Sequence, residues 1–164
     1  MRNLNYLFLI VLVIFSFSCS SENKEPKLVE KSVTIEVEME GNYTDYLVTF
    51  SVHSMLSGSS SFVAPVLDQP TELNWTQVIE QGNTYTLSFE PEVPTISATS
   101  SAPIHSLGLV FNAVHLGGET DDSFQPLSAT VNVLADGEVY RQFEFEGLPP
   151  GEVSVALTEE ITLN

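Results

Sequence analysis

The chain has 164 residues, with 22 Asp and Glu against 5 Lys and Arg, a net charge of −17 and a pI near 4.1. So acidic a chain repels phosphate backbones and anionic headgroups, which argues against nucleic-acid binding and polybasic membrane docking. A hydrophobic fraction of 43% suffices for one domain with a real core, and a single cysteine excludes an internal disulfide and any Cys-rich zinc site.

The first 18 residues read MRNLNYLFLIVLVIFSFS and end just before that cysteine, Cys19. Arg2 precedes an apolar run from Tyr6 to Phe17, broken only by Ser16. The run is too short to span a bilayer comfortably and has the length of a signal-peptide core. Ser16 and Ser18 bracket Phe17 ahead of Cys19. This arrangement resembles the lipobox of bacterial lipoproteins, and FSFSCSS resembles the looser lipoboxes of the Bacteroidota, although Phe17 departs from the small or hydroxyl residue usual there. The resemblance implies that residues 1–18 are a lipoprotein signal peptide and that Cys19 is lipidated. It also implies a cell-envelope protein held on the outer membrane by its lipid anchor. Each buried acyl methylene contributes about 0.8 kcal/mol, so several chains on one cysteine hold a protein there almost permanently.

Residues 19–31 mix charges around Pro26 without apolar periodicity and read as a flexible tether. Glu22 and Glu25, soon after the cysteine, resemble the surface-export signals of Bacteroidota lipoproteins. They favour the cell surface over the periplasmic face.

From Ser32 the period becomes two. Val33, Ile35, Val37 and Met39 alternate with Thr34, Glu36, Glu38 and Glu40. After the turn at Gly41-Asn42-Tyr43-Thr44, Tyr46, Val48, Phe50 and Val52 alternate again. A four-residue loop would make these two strands a hairpin, with Met39 opposite Tyr46 and Val37 opposite Val48. Further strands are expected near residues 61–67, 72–79, 84–90, 95–99 and 106–115. A second hairpin turns at Asp136-Gly137. A three-residue loop from Ala135 there brings Val131, Val133, Phe143 and Phe145 onto one face and sets Arg141 opposite Val131. The last strands fall at 152–158 and 161–163, and no window holds a convincing amphipathic helix. Residues 32–164 thus read as a single all-β domain, an antiparallel β-sandwich of immunoglobulin-like architecture, with a small β-barrel as the alternative. On this reading Val37→Asp or Phe143→Asp buries an unpaired charge and unfolds the domain.

Chemistry is sparse. No G-x-S-x-G, H-E-x-x-H, P-loop or dinucleotide fingerprint is present. The run from Ser57 to Ser61 is a serine loop with no base near it in sequence, and Glu36/Glu38 and Glu144/Glu146 are alternate strand positions that face water. The three histidines, His53, His105 and His115, have no short metal-ligand spacing and read as strand-end residues near solvent. The loop Gly117-Gly118-Glu119-Thr120-Asp121-Asp122-Ser123 is the most ligand-like stretch: Glu119, Asp121 and Asp122 offer the hard oxygens that calcium takes. It lacks EF-hand spacing, so no cofactor is assigned, and salt stabilisation is expected to reflect screening of the net charge rather than a calcium site. Tyr43 is a candidate contact residue for a glycan or protein, Trp75 reads as core, and Arg141 as an arginine reaching a carboxylate at the sandwich edge.

The sequence therefore points to a non-enzymatic, lipid-anchored binding or assembly module with an unidentified protein or glycan partner. The alternative is an envelope enzyme, or a calcium- or histidine-based metal-binding protein, whose site is assembled from distant loops.

Overall fold

Val33, Ile35, Val37 and Met39 are at most 3% exposed, while Glu38 and Glu40 face water, so the alternation in the sequence is the burial pattern of β1 (Val33–Glu40). The same period carries β2 (Tyr46–Leu56), where Tyr46, Val48, Phe50 and Val52 are fully buried. The computed structural model describes residues 28–78, 83–117, 122–149 and 156–164. The signal segment, Cys19 and most of the tether lie outside the described residues, as does most of the strand expected at 152–158.

Eight further strands follow: β3 (Pro65–Gln69), β4 (Thr76–Val78), β5 (Thr84–Phe89), β6 (Thr95–Ser100), β7 (Ser106–His115), β8 (Ser128–Ala135), β9 (Glu138–Glu146) and β10 (Leu157–Thr162). The helical content among the described residues is one 3-10 turn, Tyr43–Asp45. The strands form two five-stranded antiparallel sheets, ordered β3-β6-β1-β8-β9 and β10-β7-β2-β5-β4. Both keep open edges, so the described residues form a β-sandwich and not a closed barrel. The core lies between the sheets, built from Ile35, Val37, Ile96, Val131 and Val133 on one side and Phe50, Leu87, Leu109 and Phe111 on the other.

The first expected hairpin does not form. β1 pairs with β6 and β8, whereas β2 pairs with β5 and β7, so the chain crosses from one sheet to the other between Glu40 and Tyr46. Alternation fixes which face of a strand is buried but not its neighbour. Two apolar faces meet equally well across the core of a sandwich.

The second hairpin forms with a shorter loop than expected. Ala135 pairs with Glu138, and Asp136 (φ 53°) and Gly137 (φ 85°) make a two-residue turn with both φ angles positive. The register then shifts between Val133 and Leu134, so that Val133 faces Arg141 and Val131 faces Phe143. The bulge thus sits past the turn rather than in it, and it restores the shared face that the apolar pattern demands. Arg141 is opposite Val133, not Val131, and exposed. Its guanidinium carbon lies 4.9 Å from the centre of the Tyr140 ring, and no carboxylate partner is seen for it among the described residues. Phe143 is only half-buried, because β9 is an edge strand.

The strand directions give the sandwich two ends. Lys31, Ile104, His105 and Leu163 are joined by backbone hydrogen bonds at the terminal end, where residues 28–31 lead into β1. At the other, the loop end, Asn42 bonds Gln125, Asp45 bonds Leu116, and Met39 bonds Pro94.

Candidate functional site

The chain leaves β1 through Gly41, whose φ of 76° suits a residue without a side chain, and closes the short 3-10 turn with the Asp45 N–H on the Asn42 carbonyl. Tyr43 in this turn is half-buried and packs against the core. Part of its surface therefore stays accessible, and the rest is taken up by packing.

The acidic loop after β7 is fastened to this same turn at both ends. Before the loop, the Leu116 N–H donates to the Asp45 carbonyl at 2.9 Å. After it, the Asn42 N–H donates to the Gln125 carbonyl and the Gln125 N–H to the Asn42 side-chain oxygen, both at 2.9 Å. His115 forms a second bracket. Its Nδ1 accepts from the Gly117 N–H at 3.0 Å, and its ring meets Tyr46 and Phe124 edge-on at 5.1 and 5.3 Å. An acceptor Nδ1 places the proton of the neutral ring on Nε2.

Asp122 is exposed, while Glu119 and Asp121 lie outside the described residues. The clamps place the backbones of Asn42 and Asp45 beside Gln125 and Leu116, which flank the loop, with the Asn42 side-chain oxygen taken up by the Gln125 N–H. Sequence reasoning missed both, since they stand more than seventy positions before the loop, and the only signal for them was their place in a turn. Among the described residues, no group of three or more His, Cys, Asp or Glu could hold a metal.

The histidines do not converge. β7 spans ten residues, roughly 30 Å at about 3.3 Å per residue, and separates His105 at one end from His115 at the other. His105 Nδ1 is buried without a hydrogen-bond partner. His53 lies across Gly108 of the neighbouring strand, whose missing side chain leaves room for the ring, and its Nε2 comes within 3.6 Å of a Glu160 carboxylate oxygen on β10. Its Nδ1 is 3.3 Å from the Ser54 hydroxyl. His53, Gly108 and Glu160 form one row across three strands. The pair supplies two metal donors where a zinc site needs at least three protein ligands.

The other candidates stay apart. The hydroxyls of Ser57, Ser59 and Ser61 bond one another in a closed turn. Trp75 is half-buried against Phe50 and Tyr85, with its indole Nε1 enclosed and unpartnered. Glu36, Glu38, Glu144 and Glu146 lie along the outer face of their sheet; Glu144 accepts from Thr130 at 3.0 Å.

These features define an all-β sandwich with an acidic loop bracketed at one end. No family model and no curated protein matches the chain. Three solved structures share its fold. A protein from Parabacteroides distasonis, determined by NMR in a calcium-bound form, superposes with a TM-score of 0.59 at 15% identity, covering 87% of this chain and 100% of its own. A domain of unknown function, DUF4425, from Bacteroides vulgatus gives 0.57 at 13% identity, covering 82% and 97%. A DUF4425 family protein from Bacteroides ovatus gives 0.53 at 12%, covering 82% and 95%. At these identities the likeness is one of fold.

Proposed function

We propose that the protein is a lipid-anchored cell-envelope module, a sandwich of immunoglobulin-like architecture that acts by binding rather than catalysis and takes calcium at its loop end. The observation that carries the calcium reading is the double fastening of the acidic loop onto the Asn42–Asp45 turn. It sets Asp45 and Asp122, distant in sequence, at the same end of the fold, and hard oxygen donors of this kind suit calcium. The calcium-bound form of the similar Parabacteroides distasonis structure supports the same reading. This revises the expectation of charge screening alone.

Calorimetry with calcium and magnesium tests it. Saturable calcium binding is expected, weaker for magnesium and lost in Asp121→Asn/Asp122→Asn and in Asp45→Asn. A calcium concentration of about 100 times Kd should stabilise the fold by about 2.7 kcal/mol. Heat or stabilisation that tracks ionic strength and survives these variants would restore the screening account.

The anchor is tested separately. Cys19→Ser is expected to move the protein from the membrane fraction to the soluble fraction. Retention of the variant on membranes would remove the lipid-anchor reading, and protease treatment of intact cells distinguishes surface from periplasmic display.

A further inference from the structure

β4 ladders with β5 only where Thr76, Gln77 and Val78 face Thr86, Tyr85 and Thr84. Ahead of β4, residues 73–75 carry no ladder to residues 87–89. The space between them is a depression of about 380 Å³ lined by Leu73, Asn74, Thr76, Val78, Leu87 and Ser88 among others. Leu73 also lines a second depression, of about 140 Å³, at the loop end. There the apolar lining is the half-buried Leu73 and Phe89 with Pro70 and the exposed Val93, and the charged lining is Glu72, Glu90 and Glu92. All three glutamates are exposed. The described cations, Lys31 and Arg141, are both held against Tyr140, beside the first turn of β9 at the opposite end of the sandwich.

This groove combines three features that suit one kind of partner. A strand edge with no ladder partner on the β4 side over residues 87–89 among the described residues offers main-chain hydrogen bonding to an extended chain. The apolar lining takes a side chain from such a chain. Three carboxylates at the mouth, with no cation near them among the described residues, take a positive charge one or two residues further on. We infer that the groove between residues 73–76 and 86–93 binds an extended peptide segment carrying an apolar residue followed by Lys or Arg. The inference builds on the binding-module reading and names its ligand class; it does not depend on calcium.

The test uses the purified protein in a calcium chelator, so that its outcome is independent of the calcium experiment. The probe is acetyl-Leu-Lys-Val-Lys-Leu-amide, titrated by calorimetry and by amide NMR, beside the same peptide with glutamates for lysines. Saturable binding of the lysine peptide alone is expected, with shifts concentrated at residues 72–76 and 86–93. Glu72→Gln/Glu90→Gln/Glu92→Gln should weaken it about tenfold, the sum of three exposed charge contacts each contributing a few tenths of a kcal/mol to one. Glu36→Gln/Glu38→Gln/Glu144→Gln removes as much charge from the other sheet and should leave affinity within about twofold. Equal weakening by the two triple variants, shifts spread over the acidic outer face, or no saturable binding would each overturn the assignment. In all three cases the calcium result stands on its own.

Discussion

Val37→Asp is expected to leave the domain unfolded in water at room temperature. Val37 is 1% exposed on the central strand β1, between Ile96 of β6 and Val131 of β8, with its side chain in the core between the sheets. Among the described residues an aspartate there has no cation within reach, since Lys31 and Arg141 are engaged at the terminal end. It must therefore lose its hydration or its charge. Either costs roughly 4 kcal/mol or more, which is comparable to the whole stability of many domains of this size. Circular dichroism and urea titration check it. Glu38→Ala, one position along and on the watered face between Thr95 and Thr130, should stay within about 0.5 kcal/mol of the parent. Equal effects of the two would mean that β1 is not packed as described. Phe143→Asp, by contrast, should cost less than Val37→Asp, because a half-buried side chain on edge strand β9 can turn its charge to solvent.

Gly41→Ala should cost about 3 kcal/mol, again by urea titration. A φ of 76° strains any residue with a Cβ, by roughly 1–3 kcal/mol. The added methyl would also overlap the Pro126 carbonyl oxygen, a backbone atom that cannot swing aside, and would sit 2.9 Å from that of Gln125. Relief requires the turn and the 125–126 segment to separate. That loosens the hydrogen bonds from Asn42 to Gln125, so calcium affinity should fall together with stability. A loss below about 1 kcal/mol would show that the arch between the sheets is not held at this point.

Much of the fold is legible in the chain itself. β7 runs from Ser106 to His115, as the apolar run there indicates, and β1, β5, β6 and β8 lie where alternation places them. A period of two is a local property: it needs only the next few residues and the rule that apolar side chains leave water. The same rule placed the glutamates of β1 and β9 on the solvent face. Strand edges were less legible. The expected strand at 61–67 begins only at Pro65, and that at 72–79 reduces to Thr76–Val78, because ladder formation depends on a neighbour that periodicity does not name.

The candidate site was half legible. Acidic, glycine-containing composition singled out the loop at 117–123 and its oxygen donors, but not Asn42 and Asp45, which bond the residues flanking it. The partial burial of Tyr43 was not legible, because a tyrosine in a polar turn carries no mark of which way its ring folds.

What the sequence alone determined is the face each strand buries and the acidity of what remains outside. What only the tertiary structure decided is partnership. β1 and β2, adjacent in the chain, are in opposite sheets; β1 and β8, far apart, share eight paired residues. Burial is set residue by residue against water, whereas pairing is set by which distant strand completes the hydrogen bonds of each edge. That choice depends on every other strand at once.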